Sequence, residues 1–349
     1  VPHRSRTTPD SILLIRPSAL GDVCRTVPVL ASLRAAYPGA RIDWLVQDTF
    51  ADAVAAHPAL TSVIPFERAN LGRELASGKP GSTIELVRRL RATRYDLVID
   101  AQGLFRSGLL ALATGAPRRV GYSNAQELGW LGYTERHHIP RESHAVDRML
   151  ALLERAGIPP IADMRLHTLP TWKQWAQITL AIGPGRGIAV LAPTSRWPGK
   201  RWPAARFAEL ARSLLEMGFH RVAIVGAKSE RPQCGPLLDL ATRDERVIDL
   251  IGRTSVGELM AIIEQASIVI ANDSAAIHMA VGFERPMVAL YGPTSIARVG
   301  PYRRDRDVIQ HIHPGEPLDH KNEHAGVAMM ERISVDEVID RVRNATASA

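Results

Sequence analysis

Short apolar runs alternate with longer amphipathic stretches through most of this chain. Ser11-Ile12-Leu13-Leu14-Ile15-Arg16 is the first run, brief and rich enough in branched residues to predict a buried strand. The loop Pro17-Ser18-Ala19-Leu20-Gly21-Asp22 follows, and residues 23–37 then set Val27, Leu30, Ala31 and Leu33 near helical spacing. Arg41-Ile42-Asp43-Trp44-Leu45-Val46 is the next strand, with a helix starting over 51–56. Residues 83–93 read as a helix with basic residues outward, 95–100 as a strand and 103–113 as another helix. The rhythm stops at Gly183-Pro184-Gly185-Arg186-Gly187, which has the composition of a linker or hinge. It restarts over 188–191, 206–217, 221–225, 256–265, 268–271, 274–281 and 287–291. A closing amphipathic helix over 334–344 carries Val335, Val338, Ile339 and Val342.

Strands alternating with helices predict a parallel sheet covered on both faces. Two such series predict two Rossmann-like, doubly wound α/β domains, 1–180 and 181–333. The segment 334–349 is then a terminal helix expected to pack back on the first domain. Ligands of such folds bind outside the carboxyl ends of the strands, so the expected site is a central cleft that the two domains face.

Composition narrows the classes. A chain of 349 residues suits two domains, and its 46% apolar and 23% charged content is that of a globular protein. No apolar run approaches the ~20 residues of a membrane helix. The start leads only into the short run at Ile12, without the pattern of a secretory signal. Cys24 and Cys234 match no metal or redox spacing, so a reducing cytoplasm is expected. The net charge of +7 is uneven: +6 falls in residues 1–180 and +1 in 181–349. A basic half suggests an anionic partner, whether nucleic acid, acidic lipid or phosphorylated sugar, or is simply a solvated arginine-rich surface. Aromatic content of 5% disfavours a platform for stacking single-stranded bases.

Four strand-end segments carry candidate chemistry. In Ile268-Val269-Ile270-Ala271-Asn272-Asp273-Ser274-Ala275-Ala276-Ile277-His278, an apolar strand stops at Asn-Asp-Ser and a small-residue helix begins. Asp273 or Ser274 can cap that helix, or its open amides can hold a phosphate, with His278 one turn in. The loop from Pro193 to Pro203 offers the Thr194 and Ser195 hydroxyls and the Lys200 and Arg201 cations, suited to a diphosphate. Otherwise it is a surface loop with Trp197 and Trp202 packed for stability. Glu230 follows a third strand and can accept from ribose hydroxyls, or is merely solvated. After the first strand, Gly21 permits a tight turn or close ligand approach, and Asp22 is either a helix cap or a general base. No G-x-G-x-x-G dinucleotide fingerprint follows that strand. The loop 311–324 is rich in histidine, but its irregular spacing is unlike a zinc site, and no metal is expected there.

Taken together these segments resemble glycosyltransferase family 9, the heptosyltransferases, from Ile12 to about Arg343. The marks are Ser18-x-x-Gly21-Asp22, Asp100-Ala101-Gln102-Gly103-Leu104, His137-His138-Ile139, Lys200-Arg201-Trp202-Pro203, Asn272-Asp273-Ser274 with His278, and Tyr291-Gly292-Pro293-Thr294. The second and third look most like the heptosyltransferase I branch. Two departures stand out: Ser274-Ala275 replaces the usual Thr-Gly, and one extra residue lies within Trp197-Pro198-Gly199.

The resemblance implies a GT-B fold, no cofactor and no metal requirement. It implies transfer of heptose from ADP-heptose to the Kdo of the lipopolysaccharide inner core, with inversion and Asp22 as base. Thr194, Ser195, Lys200, Glu230, Asp273, Ser274, Ala275 and His278 match its donor-site motifs, Lys200 also stabilising the leaving diphosphate. Ser18, Gly21, Arg68, Arg73, Arg106 and Arg136 are the acceptor-side candidates. The implied partners are an ADP-sugar and an anionic lipid-linked saccharide, with peripheral contact at the inner membrane surface and no nucleic acid. Two rival readings are a family member with another nucleotide sugar or a protein acceptor, and a non-catalytic nucleic-acid-binding module.

Overall fold

A computed structural model of the chain describes residues 8–68, 70, 73, 77, 81–181, 187–319 and 321–347. Among them, β1 (Ser11–Ile15), β2 (Arg41–Gln47), β3 (Ser62–Phe66), β4 (Leu97–Asp100), β5 (Arg118–Tyr122) and β6 (Glu135–His137) form one sheet. Its order is β3-β2-β1-β4-β5-β6, and every pairing is parallel. A second parallel sheet joins β7 (Ile188–Ala192), β8 (Arg221–Ile224), β9 (Val247–Asp249), β10 (Ile268–Asn272), β11 (Met287–Tyr291) and β12 (Val308–Gln310). Its order is β12-β11-β10-β7-β8-β9. The apolar runs that announce β1, β7 and β10 are buried throughout, as central parallel strands covered on both faces must be. In each sheet the winding reverses beside the first strand, between β1 and β4 and between β7 and β10. Those two reversal points are where the loops part to admit a ligand.

The chain divides into two compact units, Val1–Met164 and Arg165–Ala349, sixteen residues earlier than the predicted boundary at 180. The helix Pro170–Leu180 explains the shift, because it is bound to the helix Val256–Glu264 of the second unit. The Trp172 ring lies so close to Gly257 that a Cβ there would sit 2.4 Å from it. Lys173 Nζ pairs with Glu264 Oε1 at 2.6 Å, and the Leu166 amide donates to the Gly282 carbonyl at 3.0 Å. Of the mid-chain glycine cluster, only Gly187 lies among the described residues. The terminal helix Val335–Ala347 corrects a second expectation. Its Val335, Val338 and Val342 are buried in the second unit's own core with Leu210, Leu214 and Leu290, rather than packing back on the first. The amphipathic pattern requires a buried face and does not say against what.

The first helix, Leu20–Ala36, starts three residues earlier than its apolar spacing suggests. Gly21 is therefore in the first helical turn and makes no tight turn, and Asp22 is its third residue. The Ala19 amide donates to Asp22 Oδ2 at 3.3 Å, so the carboxylate meets one of the amides a helix start leaves open. Val23, Val27, Leu30 and Leu33 of the same helix are fully buried.

Candidate active site

In the second unit the loops after β7, β8, β10 and β11 are stitched together by side chains. Asn272, fully buried at the end of β10, donates through Nδ2 to the Pro193 carbonyl at 2.6 Å. Its Oδ1 accepts from the Trp202 amide at 3.1 Å, so one amide side chain ties β10 to both ends of the β7 loop. Thr194 Oγ1 donates to Glu230 Oε2 at 2.7 Å, and the same oxygen accepts from the Ala227 amide at 3.2 Å. The Ser195 amide donates to Gln233 Oε1 at 3.2 Å. Trp202 is in the core with 1% exposure, so the loop combines a packed anchor with polar residues.

The short turn Pro198–Lys200 carries the lysine. It lies against the helix Glu323–Glu331 at a glycine pair: a Cβ on Gly326 would be 2.6 Å from the Gly199 carbonyl oxygen. Only residues without a side chain allow that approach. Lys200 Nζ meets Asp273 Oδ2 at 2.6 Å, and Thr294 Oγ1 donates to the same oxygen at 2.8 Å. Burial opposes charge on Asp273, but the Lys200 cation and these hydrogen bonds hold its carboxyl below the ordinary range. Asp273 is therefore occupied and does not cap the helix Ala275–Gly282. Ser274 holds the cap position, yet its side chain makes no cap bond and its buried Oγ has no partner. No acidic residue stands in that first turn. His278 is buried one turn in, close enough to Asp273 to act on its charge. Thr194, Ser195, Lys200, Glu230, Asp273, Ser274, Ala275 and His278 thus share the carboxyl edge of one sheet. The arrangement offers a cation, hydroxyls and an open helix start, the chemistry that binds a diphosphate.

In the first unit the same edge is built differently. Asp22 is paired with Arg16 at 2.9 Å and with the Arg25 guanidinium one turn on. Arg16 also donates to the Ala101 carbonyl at 2.7 Å, tying the β1 loop to the β4 loop. Burial alone would raise the Asp22 carboxyl, but the two guanidiniums hold it far below the usual carboxylate range. Asp100, fully buried at the end of β4, accepts from the Gln102 and Gly103 amides at 2.8 and 3.1 Å. Tyr133 Oη donates to its other oxygen at 2.6 Å. That carboxyl, pushed upward by burial, shapes the β4 loop.

Beside these loops is a pocket of about 220 Å³ whose walls include Ser18, Gln47, Arg68, Gln102, Arg106 and Glu127. The structure therefore gathers Ser18, Arg68 and Arg106. It leaves Arg73, which donates to Asn70 at 2.9 Å, and Arg136, whose guanidinium covers the Trp130 ring at 4.8 Å, off the pocket wall. Sequence reasoning named Asn272 and Thr294 only within the family marks, and missed Arg16, Arg25 and the Gly199–Gly326 contact as parts of these sites. Arg25 could have been found from its i+3 spacing to Asp22.

Among the described residues no three His, Cys, Asp or Glu side chains gather as a metal site. In the histidine-rich loop, His311 pairs with Glu337 at 2.8 Å and Glu316 with Arg332 at 2.5 Å, ties that fasten it to the C-terminal helices. His320 lies outside the described residues. No described helix is long and apolar enough to cross a membrane.

Two Rossmann-like units, each built on a six-stranded parallel sheet, give the chain the GT-B fold of glycosyltransferases. The chain belongs to glycosyltransferase family 9 (heptosyltransferase), whose family model matches residues 83–326. Lipopolysaccharide heptosyltransferase 1 of Pseudomonas aeruginosa is 30% identical over 302 residues, covering 84% of this chain and 82% of that protein. The Escherichia coli K12 protein of the same name is 28% identical, covering 93% and 99%. Among solved structures, the E. coli ADP-heptose lipopolysaccharide heptosyltransferase II superposes with a TM-score of 0.78 at 24% identity, covering 97% and 99%. An E. coli heptosyltransferase solved with ADP gives 0.74 at 25% identity, covering 96% and 99%.

Proposed function

We propose that this enzyme transfers heptose from ADP-heptose to the Kdo region of a lipid-linked lipopolysaccharide inner core, inverting the anomeric carbon in one displacement. The observation that carries the reading is the second unit's site: Lys200 fixed by Asp273 beside a helix start with no acid of its own. Relatives whose names specify lipopolysaccharide heptosyltransferase 1 support the choice of substrates.

In this mechanism Asp22 takes the proton of the acceptor hydroxyl as that oxygen attacks. Arg16 and Arg25 keep the carboxylate ionised and aimed, and their grip must loosen as the proton arrives. Negative charge growing on the departing ADP is met by Lys200 and the amides at Ala275 and Ala276, which stand ready before the reaction. Thr194 and Glu230 hold the adenosine side of the donor. Ser18, Arg68 and Arg106 face the acceptor's carboxylate and phosphates. The reaction needs no metal, and the enzyme works at the cytoplasmic membrane surface.

Turnover with ADP-heptose, competed by ADP, UDP or GDP and repeated in EDTA, tests the reading. ADP is expected to inhibit most strongly, and activity to survive chelation. Loss on chelation that magnesium restores would establish metal dependence. Preference for UDP or GDP would move the donor to another nucleotide sugar.

A further inference from the structure

Five of the seven large exposed apolar side chains among the first unit's described residues collect in one place. Phe105, Leu109 and Leu112 recur at i, i+4 and i+7 on the helix Phe105–Ala113, and so share one face. Leu128 and Leu131 belong to the segment Gln126–Gly132, which lies directly against that helix. The contact is backbone on backbone: a Cβ on Gly108 would be 2.2 Å from the Gly129 carbonyl oxygen, and one on Gly132 would be 2.0 Å from the Gly108 carbonyl oxygen. Gly108 flanks the Phe105–Leu112 stripe, so the two sets of side chains form one surface. All five are between 43% and 57% exposed. Leu128 is held outward with φ +63°, a left-handed backbone that a branched-chain residue adopts at a cost. A leucine both strained and turned to water points to a partner.

Cations border this surface. Arg106 is exposed on the flank of the stripe, and Arg91 donates to the Ala113 carbonyl at 3.2 Å, at the end of the helix beside Leu112. Arg136 covers the ring of Trp130, between Leu128 and Leu131 in the chain. Apolar side chains set among arginines match a bilayer interface with anionic headgroups, which takes both into one layer. The face is continuous with the pocket already described, since Leu104, Arg106 and Glu127 line that pocket and adjoin Phe105 and Leu128.

We propose that the face formed by Phe105, Leu109, Leu112, Leu128 and Leu131, with its arginine border, docks the first unit onto an anionic lipid bilayer beside the acceptor pocket. It rests on the lipid-linked acceptor of the preceding reading only for its purpose. The test uses acceptor-free vesicles, so docking and transfer can fail separately.

The full chain is sedimented with vesicles of phosphatidylcholine alone and of phosphatidylcholine with phosphatidylglycerol, alongside a measurement of its oligomeric state. Binding to the anionic vesicles is expected, and weak binding to the neutral ones. Leu109→Glu with Leu128→Glu should lower the vesicle affinity about tenfold or more, and Leu109→Ser with Leu128→Ser should lower it less. Arg91→Gln should lower it about fivefold. Thermal unfolding and turnover on an acceptor stripped of its acyl chains should stay unchanged in these variants. Failure of the wild type to bind anionic vesicles overturns the proposal, as does undiminished binding by the leucine variants. A dimer that the leucine changes split into monomers would instead make the face a contact between two copies, and also overturns it.

Discussion

The two units share one topology but begin their critical helices in opposite ways. In the first, the helix Leu20–Ala36 carries an acid in its opening turn, and two arginines close on that acid. In the second, the helix Ala275–Gly282 opens with no acid, and the nearby Asp273 is drawn off by Lys200 and Thr294. A helix start is a partial positive charge that some anion should satisfy. The first unit satisfies it from within, leaving a fixed carboxylate at the sheet edge. The second sets no acid of its own there, and a cation stands alongside. On the proposed reading, one fold supplies a base from the helix after the first strand of one unit and an anion receptor from the helix after the fourth strand of the other.

The sharpest way to break this comparison is to remove the internal anion. Asp22→Asn keeps the shape and one acceptor oxygen for Ala19, but cannot take a proton. We expect kcat to fall by about a hundredfold or more with ADP binding retained. Near wild-type turnover would exclude Asp22 as the base. In the second unit, Lys200→Ala removes the cation and leaves Asp273 buried beside Thr294 and His278. A loss of about ten- to a hundredfold in kcat/KM is expected. Weaker inhibition by ADP should accompany it, read by isothermal titration. Unchanged ADP affinity and kcat/KM would take Lys200 out of the donor site.

The arginine pair makes a prediction about pH. Because the Asp22 carboxyl is lowered in the folded protein, its base form persists as pH falls through the ordinary carboxylate value. Asp22 should therefore produce no acid limb in kcat/KM between about pH 5 and 8. The same pairing contributes stability that is present above the unfolded value near 3.9 and lost as pH falls toward the folded one. Arg25→Gln weakens the hold while burial remains, so the Asp22 value must rise. The Asp22 carboxyl signal, followed by NMR as pH is lowered, should therefore titrate at a higher pH in the variant than in the wild type. A carboxyl that titrates at the same pH in both would show that the guanidinium does not set the charge on Asp22.

What was readable beforehand follows from how local each signal is. The central strands β1, β4, β7, β10 and β11 are apolar runs that only a buried parallel strand accommodates. The donor-side loops follow directly from where those runs stop. The edge strand β6 is Glu135-Arg136-His137, with no apolar residue at all. It is a strand because β5 pairs with it, not because of its side chains. The terminal helix showed a buried stripe but not its partner. Arg25 lies within one helical turn of Asp22 and Arg16 stands just across the β1 loop from it, whereas the Lys200 pairing joins distant residues that only the completed sheet brings together. The Gly199–Gly326 contact spans more than a hundred residues and leaves no local trace.

The smallest expected effect separates an idle cap from a working one. Ser255 opens the helix Val256–Glu264 with a reciprocal cap, its Oγ accepting from the Glu258 amide at 3.1 Å and its own amide donating to Glu258 Oε2 at 2.7 Å. Ser255→Ala should therefore cost about 1 kcal/mol of stability. Ser274 occupies the same position on the helix Ala275–Gly282, but its Oγ bonds to nothing in the protein. Ser274→Ala removes no hydrogen bond, and should shift stability by no more than about 0.5 kcal/mol. If that hydroxyl faces the diphosphate, ADP affinity should still drop by about three- to tenfold, the net worth of one ordinary hydrogen bond. Chemical denaturation of both variants, with ADP titration of each, reads the contrast directly. A Ser274→Ala protein as destabilised as Ser255→Ala, with ADP affinity intact, would mean that the second helix start is capped from within like any other, and the contrast between the two units would fail.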